Sequence, residues 1–137
     1  MRAAKLLAVL ATAALAIGSL SAVALAGKKK HTNVVFFTGS PKFSGGTVYA
    51  KGKLNATVTA CQPNRLVRLQ VLDANGEVLA TIDEDDTPDH GGSWKLSGHL
   101  PTNLPAGTNS VRVKAKKRTT GEFVCKPGVS ISVPIPG

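Results

Sequence analysis

Five of the eight acidic residues in the 137-residue chain fall in one run, Asp83-Glu84-Asp85-Asp86-Thr87-Pro88-Asp89-His90-Gly91-Gly92. Calcium takes roughly six to eight oxygen ligands from a flexible loop. Asp83, Asp85, Asp86 and Asp89, with Thr87 among them, are the side chains that could supply such oxygens. The run lacks the central glycine and the closing glutamate of an EF-hand loop. Carboxylates this close repel one another unless a cation or nearby basic face offsets them, so the alternative reading is a solvated acidic loop.

A second constellation is basic. Arg112, Lys114 and Lys116 alternate with Val111, Val113 and Ala115, so they share one face of a strand, with Lys117 and Arg118 at its tip. Lys51 and Lys53 extend this face if their strand is a neighbour. Such a row is the electrostatic footprint of a polyanion-binding surface; it equally suits a solvated face that keeps a chain dispersed. Nucleic acid is the less suitable polyanion, because Tyr49 is the only aromatic side chain expected on an outer face and bases need stacking partners.

The remaining chemistry-bearing residues are few. His31, His90 and His99 are the only histidines. His90 and His99 flank the strand of Trp94, which sets them near opposite ends of a sheet and argues against zinc. No nucleophile elbow, phosphate loop, paired carboxylates at catalytic spacing or His-Glu-x-x-His motif occurs, so no catalytic residue is assigned and a non-enzyme is expected. Cys61 and Cys125 are the only cysteines. Neither lies in a C-x-x-C spacing or near a histidine, and a disulfide is the economical reading in an oxidising compartment. It would close a loop of roughly 65 residues, for about 4 kcal/mol in the chain-entropy model.

The elements that must position these groups are strands. Val67, Leu69 and Val71 alternate with Arg68 and Gln70, the period of a strand with one buried face. Asn75-Gly76 tolerates the positive φ of a tight hairpin turn, and Val78, Ala80 and Ile82 repeat the alternation on the return strand. Trp94 and Leu96 face the core in the next strand, and Trp94, the only tryptophan, is its expected anchor. Asn33–Thr38 and Gly46–Leu54 make earlier strands, the latter sending Val48, Ala50 and Leu54 one way and Tyr49, Lys51 and Lys53 the other. Leu100 and Leu104 plug the open end of the core from a Pro-punctuated loop. Val129–Ile135 closes the domain, with Pro134 at a strand end or edge. About seven short strands and no helical periodicity predict an all-β, antiparallel two-sheet sandwich, with a small closed barrel as the alternative.

Residues 1–26 have a basic start, an apolar Ala-rich run and an Ala24-Leu25-Ala26 ending, the pattern of a bacterial secretory signal peptide; a retained anchor is the alternative. Residues 27–32 form a basic leader expected to be mobile, and 33–137 form the domain. Removing Arg2 and Lys5 with the signal takes the formal charge from +9 to +7, a balance that favours polyanions such as wall polymers or lipid headgroups.

Phe43-Ser-Gly45 ahead of a strand, Cys61-x-x-x-Arg65-x-Val67-x-Leu69, an acidic stretch ending in Gly92-Ser93-Trp94, Gly107-x-Asn109-x-Val111 and the late Cys125 together resemble small exported bacterial immunoglobulin-like domains. These group with the transthyretin-like and carboxypeptidase-regulatory-like sandwiches. The resemblance spans about Asn33 to Val133 and implies the fold and the disulfide more than an activity. In that family the turn before the Trp strand is compact, whereas Asp83–Gly92 is longer and more acidic. The expected function is therefore that of an exported, non-catalytic module acting by binding or as a structural component at the bacterial envelope. The alternatives are a polyanion-binding protein using Arg112, Lys114, Lys116, Lys51 and Lys53, and an enzyme accessory or inhibitor domain. Its partner would be a protein or an envelope polymer, with no stable membrane span after cleavage. Calcium is the only cofactor the residues suggest.

Overall fold

The strands arise where the sequence alternates, and the longest of them, ten residues from Thr47 to Ala56, lies at the centre of one sheet. The computed structural model describes residues 28–137; the segment read as a signal peptide lies outside the described residues. In chain order the strands are β1 (Lys29–His31), β2 (Asn33–Phe37), β3 (Lys42–Ser44), β4 (Thr47–Ala56), β5 (Leu66–Leu72), β6 (Val78–Asp86), β7 (Ser93–His99), β8 (Ser110–Ala115), β9 (Arg118–Thr119), β10 (Phe123–Cys125), β11 (Gly128–Val129) and β12 (Val133–Pro134). Among the described residues a single 3-10 turn spans Thr59–Cys61. No helix among the described residues is long and apolar enough to cross a membrane.

Two antiparallel sheets pack face to face. In the first, β4 has β7 on one side and β2 and β3 on the other, the latter two pairing with successive halves of β4. In the second, β5 lies between β6 and β8, and β8 carries β11 and β12 on its far side. Each sheet therefore has one border made of two short strands separated by a break, at Ser40-Pro41 in the first and around Ser130-Ile131-Ser132 in the second. The other two borders, β6 and β7, meet at a corner, where the backbone N–H of Ser97 donates to Asp83 Oδ2 at 2.8 Å.

The core is the product of the period-2 pattern. Val35, Val48, Ala50, Leu54, Trp94 and Leu96 from the first sheet meet Val67, Leu69, Val71, Val111, Val113 and Ala115 from the second. Each large aliphatic side chain so buried contributes roughly 1.5–3 kcal/mol. Trp94 is 5% exposed; it lies opposite Gly52 on the neighbouring strand and meets Phe37 edge-on, with ring centroids 5.6 Å apart. Gly52 is required there by space, because a Cβ would fall 2.0 Å from the Phe36 carbonyl oxygen and 2.3 Å from the indole.

One pole of the sandwich is closed by polar groups. The disulfide Cys61–Cys125 forms there, with Cα atoms 5.6 Å apart, within the range an unforced bridge occupies. Beside it Arg65 is fully buried. Its guanidinium donates from Nη1 to the Cys61 carbonyl at 2.8 Å, from Nε and Nη2 to the Lys116 carbonyl at 3.2 and 2.9 Å, and from Nη2 to the Lys126 carbonyl at 2.9 Å. Burial, and then the nearby charge of Arg118, pushes the Arg65 guanidinium below its ordinary pKa. Thr87, also buried, accepts from the Arg65 N–H at 2.8 Å and donates to the Gln62 carbonyl at 2.7 Å. The small third sheet, β1–β10–β9, covers this pole.

Three expectations change. The basic leader is not a bare tail over its described part, since Lys29–His31 pairs in parallel with Phe123–Cys125. The hairpin turn has positive φ only at Gly76, at 81°; Asp73 Oδ1 holds the loop by accepting the N–H groups of Asn75 and Glu77 at 2.8 and 2.9 Å. The return strand β6 does not bury Val78, Ala80 and Ile82 alike. Two register shifts against β5 disrupt its alternation, leaving Val78 at 46% and Leu79 at 42% exposure, with Ile82 packed on the core. Trp94 and Leu96 are buried in the core, and Leu100 and Leu104, half-buried, pack against it.

Replacing Arg65 by Met leaves the Cys61 and Lys116 carbonyls at the pole without their side-chain donor, while Lys126 keeps Asn33 Nδ2, and the expected loss is about 3 kcal/mol, a fall in melting temperature on the order of 10 °C. Arg65→Lys keeps the charge but not the fork and should fall between the two; a Met variant melting with the parent would refute the assignment. Gly52→Ala should destabilise by about 1–3 kcal/mol and shift the fluorescence of Trp94, measurable in the same melting series.

Candidate polyanion interface

Outward positions on β4 and its neighbours place Tyr49, Lys51 and Lys53 on the solvent face of the first sheet. The register then adds residues from other strands. Lys95 of β7 stands directly opposite Lys51, Ser93 opposite Lys53, and Lys42 of β3 opposite Tyr49. Directly opposed side chains have Cβ atoms about 4.5–5.5 Å apart, and like charges so placed destabilise a sheet. All four lysines are exposed, and Tyr49 is 51% exposed among them. Two depressions flank the Lys51–Lys95 pair and share both residues. A smaller one of about 220 Å³ takes in Ser40, Lys42 and Tyr49, and a larger one of about 490 Å³ takes in Lys53, Asp85, Asp86 and Ser93.

The five basic residues expected on one face are divided between two. β4 and β8 belong to different sheets, so Lys51 and Lys53 do not extend the row of Arg112, Lys114 and Lys116; the outer faces of the two sheets point away from each other. The second face is also more self-satisfied. Arg112 Nε donates to Gln70 Oε1 at 3.1 Å, and Arg68, opposite Lys114, pairs with Glu84 at 3.0 Å. Arg112 and Lys114 are half-buried, and Lys116 lies beyond the end of β8 with its carbonyl engaged by Arg65. Lys42 and Lys95 are the contributors sequence reasoning missed. The outward position of Lys95 was readable from its place between Trp94 and Leu96, but the strand it faces was not.

The acidic run is only partly a loop. Asp83 to Asp86 continue β6 opposite Leu66 to Leu69, so neighbouring carboxylates alternate between faces along the strand, and at its end Asp85 and Asp86 both border the larger depression. Asp83 is committed to structure, accepting the N–H of Ser97 through Oδ2 and that of Glu84 through Oδ1 at 2.9 Å. Asp85 Oδ1 accepts the N–H of Asp86 at 2.8 Å. Thr87 is turned inward to Arg65 and Gln62, and Asp89 is exposed three residues beyond the strand. Among the described residues no three His, Cys, Asp or Glu side chains are arranged to hold a metal ion. His90 precedes β7 and His99 ends it, where His99 Nδ1 meets Thr47 Oγ1 at 3.0 Å.

Millimolar calcium is accordingly expected to raise the melting temperature no more than equal magnesium does; a calcium-specific rise of several degrees would restore the acidic run as a metal site. No protein-family model and no curated protein matches the sequence.

Proposed function

We propose that this chain is an exported, non-catalytic β-sandwich module of immunoglobulin-like type that binds an anionic envelope polymer through Lys42, Lys51, Lys53 and Lys95. The observation that carries the reading is the rung at which Lys51 and Lys95 oppose each other. Two like charges are held across neighbouring strands, flanked by two more lysines, and no carboxylate is ion-paired with any of them among the described residues. An anion laid across the rung relieves that repulsion, so its binding gains what the free sheet lacks. Export is supported by the pattern of residues 1–26 and by the formed disulfide. The immunoglobulin-like type is supported by a sheet of β2/β3, β4 and β7 facing one of β6, β5, β8 and β11/β12. Four lysines spread over three strands match a repeating charge, and one exposed tyrosine is too few for base stacking.

Retention on immobilised dextran sulfate tests the reading. The double variant Lys51→Glu/Lys95→Glu should elute at markedly lower salt than the parent, and neutral variants of the pair should lower the slope of log affinity against log salt by about 2. Arg112→Glu/Lys114→Glu, on the opposite face, should elute near the parent. Equal loss from both pairs, or passage of the parent at physiological salt, would overturn it.

A further inference from the structure

The larger depression has a charge pattern that a simple polyanion does not call for. Lys51, Lys53 and Lys95, from β4 and β7, line it together with Asp85 and Asp86, from the end of β6. These five groups border one open cleft, yet none is ion-paired; the only ion pair among the described residues is Arg68–Glu84. No hydrogen bond among the described residues uses Asp85 Oδ2 or either carboxylate oxygen of Asp86. The wall also includes Trp94, which is 5% exposed and whose buried indole N–H has no acceptor among the described residues. A cleft that keeps both signs apart offers an anion and a cation separate seats.

Resting on the proposed lysine face, we infer that this cleft holds a phosphoryl group carrying an ammonium a few ångströms away, of the phosphoethanolamine class. The phosphate takes the lysine side and the ammonium the aspartate side. Three donors on two strands suit a phosphate better than a carboxylate, because the phosphate's oxygens point in several directions whereas a carboxylate offers two in one plane. Lysine acts on such a group as a mobile point charge, and the Ser93 hydroxyl stands in the same wall as a further donor. The charges also balance. The cleft is net +1 by its five charged residues, and a phosphate monoester of about −1.5 to −2 with one ammonium is net negative by about 0.5 to 1. Asp85 and Asp86 repel a bare phosphate, so they act as a selectivity element rather than as general affinity.

Titration of the full chain with O-phosphoethanolamine and with glycerol 3-phosphate, followed through the fluorescence of Trp94 and the amide resonances of Gly52 and Lys95, tests this. Phosphoethanolamine should bind more tightly in the parent. The variant Asp85→Asn/Asp86→Asn should weaken phosphoethanolamine roughly fivefold, the reach of one or two exposed ion pairs, and should strengthen glycerol 3-phosphate. Opposite signs for the two ligands support the inference. Equal binding of both by the parent, a change of the same sign in both, or no binding of either overturns it. Dextran sulfate retention is read separately, so a protein retained on that column but indifferent to phosphoethanolamine overturns this inference and leaves the lysine face standing. Co-sedimentation with vesicles of phosphatidylethanolamine, against soluble ligand alone, distinguishes a lipid-borne group from one on a polymer.

Discussion

A buried cation with no anion beside it organises this molecule. The Arg65 guanidinium makes four hydrogen bonds, all to backbone carbonyls, and these carbonyls belong to three separate stretches of chain at Cys61, Lys116 and Lys126. Carbonyl dipoles stand in for a carboxylate, and the planar fork of arginine lets one side chain satisfy all three at once. Desolvation works against the charge, as the lowered pKa records, and the hydrogen bonds offset it. The disulfide joins two of the same stretches covalently. Thr87, engaged by the Arg65 backbone, brings the end of β6 to the same point. The 3-10 turn, the start of β5 and the ends of β6, β8 and β10 are thereby tied at one pole.

β4 connects that framework to the proposed binding surface. The same alternation that turns Val48, Ala50, Gly52 and Leu54 inward turns Tyr49, Lys51 and Lys53 outward. Gly52 lets Trp94 lie flush against the strand, which fixes β7 in register and so sets Lys95 opposite Lys51. The core and the lysine rung are two consequences of one strand pairing. A shift of β7 by one residue would turn Trp94 and Leu96 outward and Lys95 inward together, so the register is held by the burial of the indole.

Local pattern made much of this legible. Periodicity gave the buried faces of β4, β5, β7 and β8, and residue count and compartment gave the disulfide. What it did not give was partnership between distant strands. The separation of Lys51 and Lys53 from Arg112 and Lys114 depends on which sheet β4 joins, and nothing within Gly46–Leu54 states that. The acidic run read as a loop because Asp and Glu disfavour strands, but Leu66 to Leu69 supplied a partner and the pairing overrode propensity. Arg65 shares the parity of the buried Val67, Leu69 and Val71, unlike half-buried Arg68, but nothing near it in sequence names its acceptors, since the carbonyls it meets come from up to 61 residues away.

The interrupted borders have a consequence for crowding. A long, straight edge strand offers a row of open N–H and C=O groups to another copy. Here the β2/β3 border is broken at Ser40-Pro41, where proline has no N–H to give, and the β11/β12 border consists of two-residue pieces. Copies gathered shoulder to shoulder along a repeating scaffold would therefore find no continuous ladder to extend along either of these two borders.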